Sequence, residues 1–481
     1  MFIHWDWAVV LLLLLPGKGW AQQASSWEEF EETVRRLEES ISDTPAGEAP
    51  EAEARPEEDA LVPTTSETAP PWTNVLRMEA STLTLLPRRG AGSEEGFVQL
   101  EPMVALAKGE WIQLVLGAQV RLRLWGGGKG ASPVRKEDWD TLSDWGQLLR
   151  LLTVADASLY SLWAGTLEDY SLISGHLVRR YRNSLNPDYH PAGVVVTGAL
   201  GPLYAEAFTS DVFAARLVGA EVALDVQHVL LGKAKYAKRY VLSVSVAHDW
   251  GKAAGTSKPL TLAHLNAMAV VFSRRKGIEG LEVHLLGGWG GRPGEGGAWG
   301  AVAGVGVESV SAMMDLRGRL EGRRQHGGFR QGAFGPDYEL ARFQVAGPVA
   351  GPLADAPFPD GYSAYGEVIL SWDAERLMGM RQRHVRFSMG VEAFNWGRVD
   401  VDGRLEVQLF HRNLSVGVGG LATGMGDSGA RYLVSGDVRW RFLGGKLFLL
   451  GQGGTLLYPE AAGTLKPGAF AGMGLGVDNV R

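Results

Sequence analysis

Residues 398–412 read RVDVDGRLEVQLFHR. Val399, Val401, Leu405, Val407 and Leu409 stand on odd positions, and Arg398, Asp400, Asp402, Arg404, Glu406 and Gln408 on even ones. A period of two sends successive side chains to opposite faces of an extended strand, whereas a helix would scatter them around its circumference. The same division recurs along the chain. Ile112, Leu114, Leu116, Val120, Leu122 and Leu124 oppose Gln113, Gln119, Arg121 and Arg123. Met314, Leu316, Gly318 and Leu320 oppose Asp315, Arg317, Arg319 and Glu321. Val385, Phe387, Met389 and Val391 oppose Arg386, Ser388, Gly390 and Glu392, and Tyr432, Val434, Val438, Trp440 and Phe442 oppose Arg431, Ser435, Asp437, Arg439 and Arg441.

Strand length separates two ways of hiding the apolar face. Soluble strands run about five or six residues, and a tilted membrane-crossing strand needs about nine to eleven. Several of these alternations persist for ten to fifteen residues. Gly/Pro/Asp clusters such as GGGKGASP, GGWGGRPGEGG and GPLADAPFPDG separate them and read as turns and surface loops. Trp111, Trp125, Trp250, Trp372 and Trp440 close strands, as interfacial aromatic girdles do. A closed barrel in lipid hides every apolar face and every sheet edge at once. The pattern therefore predicts an all-β chain, a closed antiparallel transmembrane barrel over residues 75–481. At roughly 22 to 25 residues per strand and turn, it would hold about 16 to 18 strands. A soluble, exported β-rich protein that binds polysaccharide is the alternative, with its apolar face inside a sandwich.

The N-terminal region differs. Ala8–Leu15 is apolar but far short of the ~20 residues of a spanning helix, and Gly19-Trp20-Ala21 offers small residues before a cleavage point. Residues 1–21 read as a secretory signal peptide. Residues 22–74 carry 14 acidic and three basic side chains. Within 22–44, Trp27, Phe30, Val34, Leu37 and Ile41 are spaced as a two-heptad seam, which suits a short amphipathic or coiled-coil helix. A homotrimer through residues 27–41 is the oligomer this seam would support. Residues 45–74 are an acidic Pro/Glu-rich linker, too poor in apolar surface to offset its chain entropy.

With no cysteine in 481 residues, export implies no disulfide. The body is nearly neutral once the acidic tail is set aside, so no nucleic-acid partner is expected. These strands, turns and girdles resemble the outer-membrane β-barrel proteins of Gram-negative bacteria, porins among them. The resemblance implies the cell outer membrane as location and its lipid as partner, with small polar solutes passing inside.

The least strand-like part of the body, residues 165–193, concentrates Glu168, Asp169, His176, Arg179, Arg180, Arg182, Asp188, Tyr189 and His190. Three arginines so close together are misplaced against lipid. Folded into a lumen, Glu168, Asp169, His176, Arg179, Arg180, Arg182 and Asp188 would form a constriction selecting solutes by charge and size. As a solvated outer loop they would pair locally. The polar faces of the strands predict lumen-facing charges at Arg121, Arg123, Asp315, Arg317, Arg319, Arg404, Glu406, Arg439 and Arg441. Residues 134–152 suggest a short helix capped by Thr141 or Ser143, with Trp145, Leu148 and Leu149 packed on one side. GGGKGAS lacks the Lys-Ser/Thr end of a phosphate loop, and no HExxH or Gly-x-Ser-x-Gly spacing occurs. No catalytic residue, metal site or cofactor is expected, and the chain reads as a non-enzyme. The function expected is passive diffusion of small hydrophilic solutes through a porin-like channel. A surface barrel whose loops bind a partner, as a receptor, adhesin or structural protein, is the alternative within the same fold.

Overall fold

The computed structural model describes residues 72–478, except 88–93, 109–110, 127–129, 157–159, 186–187, 233–238, 252–257, 277–278, 295, 312, 348–350, 357, 374–383, 411–412 and 461–462. The signal peptide expected over 1–21, the helix and trimer seam expected within 22–44 and nearly all of the linker expected over 45–74 lie outside the described residues. The strand expected from residue 75 begins three residues earlier, at Trp72.

Alternation becomes a wall of antiparallel strands. In chain order they are β1 (Trp72–Pro87), β2 (Glu95–Lys108), β3 (Ile112–Gly117), β4 (Val120–Trp125), β5 (Leu149–Asp156), β6 (Tyr160–Gly165) and β7 (Gly193–Leu200). Next come β8 (Leu203–Thr209), β9 (Leu217–Asp225), β10 (Tyr240–Asp249), β11 (Leu260–Lys276), β12 (Glu279–Gly291), β13 (Trp299–Val310) and β14 (Met314–His326). The wall ends with β15 (Gly361–Asp373), β16 (His384–Phe394), β17 (Val399–Leu409), β18 (Leu414–Met425), β19 (Arg431–Phe442), β20 (Leu447–Pro459) and β21 (Leu465–Asp478). β3 and β4 both pair with β2 and form one interrupted stave. β1 pairs antiparallel with β21, from Arg77 opposite Asp478 to Pro87 opposite Gly468, so no edge remains.

The barrel is closed and has 20 staves. That exceeds the 16 to 18 expected, because turns such as Gly201-Pro202 are minimal and β5 to β9 are only six to nine residues long. A single closed sheet also excludes the two-layer sandwich of the soluble alternative.

Register fixes which side each residue faces. Arg319, Glu321, Arg323 and Gln325 of β14 point inward, while Leu316, Leu320 and Gly322 point out, and Leu320 is 60% exposed. In β10, Leu242, Val244 and Val246 are exposed, and Ser243, Ser245, Ala247 and Asp249 are buried. Exposed apolar rows such as these would be costly in water and are at rest in hydrocarbon. Exposed rings gather at the two rims. Trp111, Tyr160, Tyr240 and Trp440 lie toward the end that carries the chain termini, and Trp125, Trp250, Tyr362 and Tyr432 lie toward the other. Apart from 226–239 and 374–383, the connections at the termini end are short, and the longest ones leave the opposite end at 126–148, 166–192 and 327–360. In bacterial barrels that asymmetry puts short turns in the periplasm and long loops outside. Among the described residues no helix is long and apolar enough to cross a membrane.

The interior is half dry. Trp163, Val195, Phe208, Ala247 and Leu262 of the β5–β11 wall meet Leu167, Tyr170, Leu172, Leu177, Val178 and Tyr181 of the 166–192 loop. Phe329, Phe334, Tyr338 and Leu353 of the 327–360 loop complete the cluster. These rings are a hydrophobic core inside the barrel, each fully buried side chain contributing about 1.5–3 kcal/mol.

Candidate functional site

The 166–192 loop enters the lumen because its apolar half has a wall to pack on and its polar half has counter-charges to meet. It leaves β6 at Gly165, doubles back through the Tyr170–Tyr181 bridge, and lies beside the second inserted loop through the parallel Val178–Phe334 bridge. Two tyrosines fasten it. The Tyr170 hydroxyl donates to Glu206 of β8 at 2.5 Å, and that of Tyr181 donates to Glu339 at 2.5 Å. Ser174 donates its backbone N–H and its hydroxyl to Glu221 of β9, at 3.1 and 3.0 Å. Asp169 (φ 53°) and Arg180 (φ 51°) hold left-handed backbone conformations that L-residues seldom adopt.

The arginines then reach across to the opposite wall. Arg179 pairs with Glu367 of β15 at 2.7 Å and donates to the Tyr365 hydroxyl at 2.9 Å. Arg180 pairs with Asp402 of β17 at 2.5 Å. Arg182 turns back to Asp169, donating from Nε and Nη2 at 3.0 and 2.7 Å. Arg404 of β17 holds Glu406 at 2.5 Å and lies 3.9 Å from Glu168. Five of the seven expected constriction residues, Glu168, Asp169, Arg179, Arg180 and Arg182, thus share one lattice. His176 lies beside it, buried, 3.7 Å from Glu321 and 2.6 Å from Asn266. Asp188 lies apart from that lattice, 2.5 Å from Arg135.

Burial acts unequally on the two loop carboxylates. Burial pushes Glu168 up to about 7, against the pull of Arg404 and Arg182 and with the push of Asp169 and Glu406. Burial also opposes the charge on Asp169, but Arg182 and Arg180 more than offset it and hold that group well below the usual carboxylate range.

The strand charges expected in the lumen find partners on neighbouring strands and loops. Arg121 meets Asp138 at 2.7 Å, Arg123 meets Glu95 at 2.5 Å, and Arg439 meets Glu79 at 3.1 Å. Arg319 pairs with Glu321 of the same strand. Arg317 sits in register with Glu308 and Ile369, Asp315 with Val310 and Ser371, and Arg441 with Phe448.

The expectation missed the second inserted loop. GPLADAPFPDG, whose Gly/Pro/Asp content predicts a surface loop, instead has Leu353 and Phe358 buried. Arg330 of this loop and Arg398 both reach Asp400, at 2.8 and 2.9 Å, and Arg323 bridges Glu321 and Glu392 at 2.8 and 3.1 Å. The signal was present as Phe329, Phe334 and Tyr338 in a stretch without strand alternation, since rings do not belong on a solvated loop. Between the two loops and the β15–β18 wall lies a cavity of about 50 Å³ bordered by Arg179, Arg180, Arg330, Tyr365, Glu392 and Asp402, with room for a few waters. In the 134–152 region, Thr141 opens a 3₁₀ turn over Leu142–Leu148, its backbone N–H donating to Asp144 at 2.8 Å. Trp145 and Leu148 are exposed, contrary to the packed face expected, because the 3₁₀ turn rotates them outward; Trp145 packs edge-on against Trp139 instead.

A closed barrel with an apolar outside, aromatic rims and a charged inside is an outer-membrane β-barrel protein of the Gram-negative type. No family model matches the chain, and no curated protein does. Among solved structures it is similar to a BenF-like porin from Pseudomonas fluorescens Pf-5, at 10% identity over 85% of this chain and 98% of that one, with a TM-score of 0.35. It is also similar to the outer membrane protein OpdK from Pseudomonas aeruginosa, at 9% identity over 85% and 98%, TM-score 0.36. OccK2 (OpdF) from Pseudomonas aeruginosa matches at 12% identity over 85% and 98%, TM-score 0.32.

Proposed function

We propose that the barrel is a porin-like channel for passive diffusion of small hydrophilic solutes, narrowed by the 166–192 and 327–360 loops. The observation that carries this reading is the placement of Arg179 and Arg180. A loop that only bound an outside partner would present its charges above the rim. Here they are buried across the lumen on Glu367 and Asp402 of the far wall. The lining beyond them, with Arg404, Glu406 and Arg439 each about a tenth accessible at the side chain, is polar. Glu168, Asp169, Arg179, Arg180 and Arg182 set the narrowest section in this reading, and the strand charges line the approach to it.

Liposome swelling tests this. Proteoliposomes of the full chain are expected to swell in small sugars and amino acids and to slow steeply as solute size rises. Folded, inserted protein that leaves swelling at the rate of empty liposomes would turn the reading toward the surface-binding barrel.

A further inference from the structure

Porin-like constrictions select ions when one sign of charge is left facing the path. In this lattice as many carboxylates as arginines meet. Arg179, Arg180 and Arg182 each hold one, Arg319 and Arg323 share Glu321 while Arg323 also takes Glu392, and Arg330 and Arg398 share Asp400. Arg404 closes the set on Glu406, with Glu168 as its second counter-charge. With Glu168 ionised, these eight arginines meet eight carboxylates. The charges also alternate in space at ion-pair distances, so the field they cast falls away within a few ångströms instead of filling the section.

We propose that the constriction is charge-compensated and favours net-neutral dipolar solutes, zwitterions above all, over solutes of the same size bearing one net charge. The proposal rests on the channel reading and adds the substrate class to it. An anion approaching Arg404 meets Glu406 beside it, and a cation approaching Glu406 meets Arg404. A zwitterion offers a carboxylate to one and an ammonium to the other at the same time, replacing both hydration shells with charge-assisted contacts. Arg404 and Glu406, which line the approach to the narrowest section, are the residues on which this turns. They lie on β17 two positions apart, on one face, and both keep about a tenth of their side-chain surface open to water.

The test uses three probes of nearly equal size: glycine, glycolate and ethanolammonium. Uptake into proteoliposomes of the full chain is measured at about pH 8, where Glu168 is ionised. Glycine is expected to enter faster than either ion. Glu406→Gln is expected to make glycolate the fastest of the three, and Arg404→Gln to make ethanolammonium the fastest, each by about threefold or more. Folding of each variant is read from its heat-dependent gel shift. Either ion outpacing glycine in the unaltered protein overturns the proposal while leaving the channel intact. Folded variants that keep the original order of uptake overturn it as well. Uptake of none of the three sinks the channel reading itself, a separate failure.

Discussion

Arg180 shows at one residue what holds the constriction. Its backbone is left-handed, the residue is 2% exposed, and its charge is met by Asp402, 222 residues away in sequence. Removing one partner of such a pair strands the other charge, at a cost of about 3–5 kcal/mol. Asp402→Asn is therefore expected to lower the midpoint of thermal unfolding in detergent by several degrees, whereas Asp402→Asn combined with Arg180→Met recovers most of the loss. Glu168 gives a second prediction at this scale. Its carboxyl, raised by burial to about 7, takes up a proton as pH falls through that value. Arg404, Arg182, Asp169 and Glu406 face it, and losing its charge leaves them with one positive charge more. Reversal potentials in a KCl gradient should shift toward anions between about pH 8 and pH 5.5. Glu168→Gln should be anion-shifted throughout and lose the pH dependence. The identity of the charged residues was readable from the sequence, because arginine crowding in a β-rich chain is conspicuous. Their partners were not, since nothing local in YSLISGHLVRRYRN points to Glu367 or Asp402.

At the scale of elements, period-two alternation specified the staves, because a one-residue slip would turn every leucine into the lumen. It said less about the loops, whose course depends on packing. The 166–192 loop is held by Leu167, Leu172, Leu177 and Val178 against a wall whose own inward residues, Trp163 and Phe208, sit in strands too short to display a clear period. Replacing residues 172–179 by a short Gly-Ser linker should leave the barrel closed and raise conductance severalfold, as read in planar bilayers. The last stave carries a different constraint. A Cβ on Gly476 would lie 2.0 Å from the Phe448 ring, which is fully buried inside the barrel on the neighbouring strand. Gly476→Val is expected to abolish the heat-modifiable band of the folded barrel, and adding Phe448→Ala to restore it.

For the whole molecule, the architecture follows from one partition of the side chains between two surroundings. Lipid touches the even positions 314–322 of β14 and the odd positions of β17, while water and paired charges touch those between them. The strand count was beyond sequence reasoning because it depends on turn lengths and on staves of six to nine residues, which an average repeat conceals. The absence of cysteine makes the partition directly measurable, because single cysteines can be introduced and spin-labelled one at a time along residues 315–324 in a lipid bilayer. Collision with dissolved oxygen, which concentrates in hydrocarbon, should peak at positions 316, 318, 320 and 322, and collision with a water-soluble nickel chelate should be least at those same positions. Even-numbered labels shielded from oxygen, as they would be when packed against a second protein layer, would contradict the account at its root.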